Sequence, residues 1–188
     1  GASRADADEA VRGLTKLGDG GTARAAWRVE VADSSAARGT NPLPPAPTGA
    51  VSSGALCKAV QDVIDAADNP VLVCDGGEIG QWAQAYISAP RRVINGPSGA
   101  IGGCLSYAIA AKLADPTATV VLVMGDGTTG FHLSEFDTAV RAEAPIVAVI
   151  GNDARWNAEH VIQMREYGED RLIGCDLRAT RYDAAVAG

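Results

Sequence analysis

The sequence predicts an α/β protein in which helices cover both faces of a parallel sheet, in three layers. Short runs rich in Val, Ile and Leu recur along the chain, and segments with helical spacing of apolar residues separate them. The runs are continuously apolar, which is typical of strands buried on both faces. The chain has 188 residues, of which 47% are apolar, so it can bury one such core.

The first part of the chain is predicted to be helical and separate from the rest. Residues 5–17 and 22–38 have helical spacing, but together they are too short to bury a core of their own. The segment GTNPLPPAPTG follows, and its four prolines exclude a helix or the interior of a sheet. We therefore expect a helical tail at 1–38, a Pro-rich linker at 39–51 and a domain at 52–188.

The first half of the domain alternates between helix and strand. Serines precede a helical pattern at 52–67 and can cap it. A short apolar run ending in Asp-Gly predicts a strand at 70–76. A second helix is expected at 78–88 and a short strand at 91–96.

The second half of the domain repeats this alternation. An apolar helix that opens on glycines is expected at 99–114, and the strongest strand of the sequence at 118–127. An amphipathic helix at 133–144, a strand at 145–152 and a helix at 158–168 follow. In such folds the crossovers are right-handed, and ligands bind beyond the carboxyl ends of the strands, where the strand order reverses.

The charge and the cysteines limit the possible partners and compartments. The net charge is −7 and no basic run is present, which argues against nucleic acid and anionic membranes as partners. The four cysteines lack metal-site spacing, so we expect buried free thiols in a reducing compartment. The N-terminal residues do not resemble a signal peptide and the apolar runs are too short to span a bilayer. These features predict a soluble cytoplasmic protein.

The tripeptide GDG occurs twice, in different settings. At 18–20 it follows a helical pattern among polar residues and is interpreted as a turn. At 125–127 it follows the apolar run VVLVM and precedes a helix. There the N–H groups of Gly127 and Thr128 can face a phosphate, although a turn combined with a helix cap remains an alternative.

The segment after the second GDG suggests a metal site. One predicted helix and one predicted strand separate Gly127 from Asn152. This βαβ unit brings Asp126 and Asp153 to adjacent strand ends. Carboxylate and carbonyl oxygens suit Mg²⁺, whereas two facing carboxylates without a metal would repel each other and raise one pKa.

Three segments, in order along the chain, carry a resemblance to a known family. They are VLVCDGGEIGQWA, PSGAIGGCLSYAIAAKLADPTATVVLVMGDG and GDGTTGFHLSEFDTAVRAEAPIVAVIGNDARW. Together they resemble the cofactor-binding C-terminal domain of thiamine diphosphate-dependent enzymes in the acetolactate synthase and 2-oxoacid decarboxylase group. The resemblance implies that residues 1–38 end a preceding central domain and that the domain at 52–188 is incomplete at its C-terminal end.

The resemblance implies a metal set and a cofactor set. Mg²⁺ would be held by Asp126, by Asp153 and by the backbone carbonyl of Arg155. Asp153 stands where the motif has Asn, and its added charge would either tighten Mg²⁺ binding or weaken diphosphate binding. The residues implied to contact thiamine diphosphate are Glu78, Ile79, Gly80, Gly99, Ile101, Gly127 and Thr128. Gly99 would meet the aminopyrimidine, and Ile101 would bend the cofactor.

The resemblance also implies a reaction and an assembly. The full enzyme would act on a small 2-oxoacid or acyl substrate, by decarboxylation and carboligation. Glu159 would act as an acid on the substrate side, although an ordinary solvated glutamate is an equal alternative. The glutamate that activates the cofactor would come from the pyrimidine-binding domain of a neighbouring subunit in a homodimer or homotetramer, so this chain alone should be inactive. A requirement for FAD is left open.

Two other classes of protein compete with this interpretation. A dehydrogenase-type nucleotide-binding domain needs GxGxxG directly after its first strand, and CDGGEIGQ does not have that order. A non-catalytic binding or regulatory module that retains the fold remains open.

Overall fold

The computed structural model describes residues 21–36, 49–96 and 98–187. The chain divides into two compact units, the first ending at Asn41 and the second starting at Pro42. Within the first unit, helix α1 spans Gly21–Ala36, close to the predicted helix at 22–38. The helix expected at 5–17 and most of the expected linker lie outside the described residues.

The second unit alternates between strands and helices along the chain. Its strands are β1 (Pro70–Cys74), β2 (Arg92–Ile94), β3 (Thr119–Gly125) and β4 (Val147–Gly151). Its α-helices are α2 (Ser53–Asp65), α3 (Gly77–Tyr86), α4 (Cys104–Ala114), α5 (Asp126–Phe131), α6 (Glu135–Arg141), α7 (Asn157–Tyr167) and α8 (Tyr182–Ala187). All predicted elements of this unit are present, and the short helices α5 and α8 are additional to them.

The four strands form one parallel sheet in the order β2-β1-β3-β4. The chain therefore proceeds outward in one direction from β1 to β2, and in the other direction from β3 to β4. The order reverses between β1 and β3, so a crevice is expected beyond the carboxyl ends of these two strands.

The core lies on both faces of the sheet, because successive side chains of a strand point to opposite faces. Val71 and Val73 of β1 pack in a buried cluster with residues of α4 and α6. Leu72 and Cys74 of the same strand pack in a second cluster with residues of α2 and α3. Helices thus cover both faces, and the predicted three-layer α/β class is confirmed.

Two element boundaries differ from the prediction at the carboxyl edge of the sheet. Helix α4 begins at Cys104 and not at residue 99, because Gly99 and Gly102 have φ values of 68° and 89°, outside the helical region. Strand β3 ends at Gly125, and Asp126 already belongs to α5. The first difference places an irregular loop beside the predicted site, and the second places the first turn of α5 there.

The four cysteines are buried and unpaired, as predicted. Burial raises the pKa of the Cys57 and Cys74 thiols to about 11 and that of Cys104 to about 12. These three side chains are therefore protonated at neutral pH and are packing residues, since the thiolate is the nucleophilic form. Within the described residues, no helix combines the length and the apolar character that a bilayer span requires.

We expect Leu122→Ala to lower the free energy of unfolding by about 2–5 kcal/mol, because it leaves a cavity in the core. Leu122 is completely buried in the middle of β3. Leu113 on α4 is 53% exposed, so Leu113→Ala is the matched control with a small expected effect. Denaturant unfolding measures both changes, and equal losses in the two variants would contradict this assignment of the core.

Candidate functional site

A cavity of about 900 Å³ opens at the carboxyl ends of the strands. Residues that follow β1, β3 and β4 line it, together with the first turn of α2. All but one of the site residues expected from the sequence are among its lining residues: Glu78, Ile79, Gly99, Ile101, Asp126, Gly127, Thr128, Asp153, Arg155 and Glu159. The fold thus brings residues that are up to 81 positions apart into one cavity.

Gly80 is the exception, and its role is packing. It is buried in α3, and a Cβ atom there would lie 1.8 Å from the carbonyl oxygen of Asp75. Helix α3 can therefore approach the end of β1 only because residue 80 has no side chain. Gly80 does not line the cavity, and its contact with a ligand stays a prediction.

Two threonines fix the turn from β3 into α5. The Gly125 N–H donates to Thr128 Oγ1 at 3.1 Å, and Thr129 Oγ1 donates to the Gly125 carbonyl at 2.7 Å. This turn buries Asp126. The N–H groups of Gly127 and Thr128 lie in the first turn of the helix, where backbone donors lack partners within the helix.

Asp126 and Asp153 converge as the sequence predicts. The charges of Asp126 and Glu78 add to desolvation in raising the pKa of Asp153, and desolvation is the larger cause. The Arg155 N–H donates to Asp126 Oδ2 at 3.2 Å, which links the turn after β4 to the turn after β3. The cavity therefore concentrates negative charge.

Glu78 can offer its backbone N–H to an anionic ligand, but not its side chain. Its carboxylate accepts hydrogen bonds from Trp82 Nε1 at 3.2 Å and from Asn157 Nδ2. A carboxylate cannot donate to an anionic ligand. An anion in the cavity could therefore meet only the backbone N–H of this residue, in the first turn of α3.

A C-terminal segment, residues 175–182, organises the turn after β4, and the sequence analysis missed it. Asn152 Nδ2 donates to the Thr180 carbonyl at 2.8 Å, and the Leu177 N–H donates to the Ala154 carbonyl at 2.7 Å. Ala154 has a φ of 57°, which is uncommon for a residue with a side chain. No periodic pattern in the sequence marks this segment, because it has little regular structure.

The side chain of Arg155 is held by neighbouring side chains, whereas that of Glu159 is exposed at the cavity. Arg155 Nε donates to Asp176 Oδ1 at 3.0 Å, and its Nη1 lies 3.4 Å from His160 Nε2. The Arg155 guanidinium is thus already engaged by neighbours. Glu159 is exposed in the first turn of α7 and faces the cavity.

An aromatic pair joins the end of α5 to the residue that precedes α7. The rings of Phe131 and Trp156 lie 5.5 Å apart. A Cβ atom on Gly102 would lie 2.7 Å from the Phe131 ring, and one on Gly127 would lie 2.4 Å from the Trp156 ring. Trp156 therefore packs against both Phe131 and Gly127 beside the site.

Asp75 is a polar residue that sequence reasoning did not include in the site. It is completely buried, and its carboxylate accepts hydrogen bonds from the backbone N–H groups of Gly76, Gly102 and Cys104. Its position directly after an apolar strand was the available signal. Without tertiary contacts, however, an Asp-Gly pair at that point is equally typical of a turn.

Comparison with known families decides the class of this cavity. The family described as "Thiamine pyrophosphate enzyme, C-terminal TPP binding domain" matches residues 75–186. The chain belongs to this thiamine pyrophosphate enzyme family. Thiamine pyrophosphate and thiamine diphosphate are the same cofactor, so the resemblance inferred from the three sequence segments is confirmed.

The similar proteins include 2-hydroxyacyl-CoA lyases and acetolactate synthases. The chain is 42% identical to 2-hydroxyacyl-CoA lyase 2 of Xenopus laevis over 125 residues, which is 63% of this chain and 19% of the relative. It is 38% identical to the human protein of the same name, over 64% of this chain and 19% of the relative. It is 39% identical to a probable acetolactate synthase of Mycobacterium bovis, over 62% of this chain and 22% of the relative. The chain thus spans about a fifth of the length of these relatives.

The donor groups around the cavity fit a thiamine pyrophosphate cofactor bound through a cation. Asp126, Glu78 and Asp153 bring negative charge together, which a cation would offset. Among residues 21–36, 49–96 and 98–187, no group of three or more His, Cys, Asp and Glu side chains is arranged to hold a metal. A cation here would therefore need backbone and cofactor oxygens beside the carboxylates, and Mg²⁺ often takes substrate phosphate oxygens as ligands.

We expect Asp153→Asn to raise the thermal midpoint of the protein at pH 7 when EDTA removes all divalent metal. The raised pKa means that the folded state holds this proton more tightly than the unfolded chain. Stability therefore falls as the pH rises from the ordinary carboxyl pKa through the raised one. The asparagine variant lacks this loss, so its advantage should shrink below a pH of about 4.

Asp115→Asn is the control of opposite sign, since hydrogen bonds from Thr117, Arg91 and Asn69 lower the pKa of Asp115. That contribution is present above the ordinary carboxyl pKa and is lost in acid. This variant should therefore melt below the wild type at pH 7 and approach it at low pH. Scanning calorimetry across the pH range measures both, and a pH-independent effect of Asp153→Asn would contradict the raised pKa of Asp153.

Proposed function

We propose that this domain binds thiamine diphosphate through Mg²⁺ held by Asp126, Asp153 and the backbone carbonyl of Arg155. The observation that carries the proposal is the convergence of two carboxylates beyond neighbouring strands in a domain of this family. Mg²⁺ prefers oxygen ligands and keeps positions open for phosphate oxygens. The metal would offset the negative charges of Asp126 and Glu78, which add to desolvation in raising the pKa of Asp153, and would let an acidic cavity accept a diphosphate.

Backbone groups are proposed to hold the two ends of the cofactor. The N–H groups of Gly127 and Thr128, with those of Glu78 and Ile79, would donate to the diphosphate. At the other side of the cavity, the carbonyl of Gly99 and the side chain of Ile101 would meet the rings. Backbone donors suit this anion because successive N–H groups can form a concave site for an anion.

The cofactor supplies the chemistry, which is a nucleophilic carbon and an electron sink for making or breaking a C–C bond next to a carbonyl. We propose that the full-length protein uses it on a 2-oxoacid, by decarboxylation and carboligation, with Glu159 as an acid on the substrate side. Cleavage of a 2-hydroxyacyl-CoA is the second candidate. It is favoured by six relatives of 34–42% identity that carry that name.

A neighbouring subunit is proposed to close the cavity. Val51 is 74% exposed and Ile162 is 42% exposed, yet both line the cavity. Apolar side chains that are exposed at the mouth of a site favour a covering partner. In a homodimer or homotetramer the pyrimidine-binding domain of the next subunit would provide this cover and the activating glutamate.

We expect Asp126→Ala to weaken thiamine diphosphate binding by at least about 100-fold, because outer-sphere partners of a metal ligand alone are worth about 10–100-fold. Calorimetric titration of the full-length protein with thiamine diphosphate and Mg²⁺ measures this. Asp62→Ala is the matched control, since Asp62 pairs with Lys58 on the surface of α2. Failure of the wild type to bind, or binding that is indifferent to Asp126, would refute the proposed cofactor site.

A product assay of the full-length protein separates the candidate reactions. Turnover of pyruvate supports the 2-oxoacid reaction, turnover of a 2-hydroxyacyl-CoA supports the lyase reaction, and cofactor binding without either turnover supports a non-catalytic module.

With an active substrate, Glu159→Gln should lower kcat by about 100-fold or more and leave cofactor affinity unchanged. Glu166→Gln on the same helix is the control, because Glu166 pairs with Arg165 at the surface. An unchanged kcat for Glu159→Gln would remove Glu159 from the chemistry.

A further inference from the structure

Asp75 carries a buried carboxylate that neither the core nor the proposed metal site explains. The residue is completely buried at the end of β1. Its Oδ1 accepts from Gly76 at 2.6 Å and from Gly102 at 3.0 Å, and its Oδ2 accepts from Gly102 at 3.0 Å and from Cys104 at 3.4 Å. Burying an ionised carboxylate is costly unless hydrogen bonds compensate it. These backbone donors provide that compensation.

The backbone N–H groups that bind the Asp75 carboxylate show which segment of the chain it holds in place. Gly102 lies in the 98–103 loop and Cys104 begins helix α4, so Asp75 ties this loop to the end of β1. The loop has little regular structure, and Gly99 and Gly102 adopt positive φ values of 68° and 89°. Because glycine has more conformational freedom than any other residue, such a segment keeps one conformation only when contacts with its surroundings hold it.

The loop that Asp75 holds forms one wall of the cavity. Gly99 and Ile101 line the cavity. A Cβ atom on Gly76 would lie 2.6 Å from the Ile101 side chain, so Ile101 sits closely on the turn after β1. Phe131 lies against the same loop at Gly102. A shift of the loop would therefore move the groups proposed to face the cofactor rings.

We propose that Asp75 is a positioning residue for the cofactor, whose buried carboxylate fixes the 98–103 loop so that Gly99 and Ile101 meet the ring half of thiamine diphosphate. This inference rests on the proposed function of the cavity. Asp75 acts through backbone N–H groups and touches neither the diphosphate end nor the metal set. Its removal should loosen the loop and leave Asp126 and Gly127 in place.

Asp75→Asn is the sharpest variant because it keeps one acceptor and removes the other. Oδ1 can still accept from Gly76, whereas an amide nitrogen in the place of Oδ2 would face the N–H groups of Gly102 and Cys104. In the full-length protein without cofactor, amide hydrogen exchange within 98–104 should accelerate by about tenfold or more. Exchange within β3 should stay as in the wild type, and the dissociation constant for thiamine diphosphate with saturating Mg²⁺ should rise by about tenfold.

Asp62→Asn at the surface is the matched control, with no expected change in either measurement. Exchange that accelerates equally in 98–104 and in β3 would make Asp75 a general stabiliser of the fold and overturn the proposal. Unchanged exchange and affinity would overturn it as well. If the wild type does not bind thiamine diphosphate, the proposed function fails. If the wild type binds it and Asp75→Asn binds it equally well, only the positioning role of Asp75 fails.

A second variant keeps the inference testable if Asp75→Asn does not fold. Gly102→Ala leaves the carboxylate intact, but it strains a positive φ and brings a Cβ atom within 2.7 Å of the Phe131 ring. It should show the same pattern, with faster exchange confined to 98–104 and weaker cofactor binding. Normal affinity in a folded Gly102→Ala protein with a loosened loop would refute the role of this loop in cofactor positioning.

Discussion

Strands β1 and β3 run parallel and in register from Pro70 opposite Thr119 to Cys74 opposite Val123. The ladder continues past the end of β1, where the Asp75 N–H donates to the Val123 carbonyl at 3.0 Å. Because parallel strands end at the same edge of a sheet, this pairing brings the turns after β1 and β3 side by side. The neighbouring strand β4 adds its own turn, and the cavity exists only because these three turns meet.

Close approach of backbone and side chains then shapes the cavity. Trp156 lies against Gly127, and Ile79 lies so near Gly151 that a Cβ atom there would be 2.7 Å from its side chain. Negative charge collects in the remaining space, where desolvation and then the charges of Asp126 and Glu78 raise the pKa of Asp153. In a chain with a net charge of −7, backbone donors or a cation are the local means by which this cavity could hold an anionic cofactor.

The sequence predicted the regular elements of the domain well, because their signal is local. The continuous apolar run of β3 and the helical spacing of α2 identify buried elements without any knowledge of their neighbours. The errors lie where tertiary contacts set the backbone. Helix α4 starts five residues later than expected, since the glycines before it adopt positive φ values. Residues 175–182 carry no periodic pattern, so their contacts with the turn after β4 could not be predicted.

The sequence by itself determined the fold class, the family and the convergence of Asp126 with Asp153, because motif spacing and strand order are written in the chain. Only the tertiary structure decided what each polar side chain contacts. It assigned Gly80 to packing, bound the carboxylate of Glu78 to Trp82 and Asn157, and identified Asp75 as the anchor of the 98–103 loop. The physical reason is that hydrogen bonds and van der Waals contacts between distant segments depend on distances of a few tenths of an ångström, which residue types and spacing do not encode.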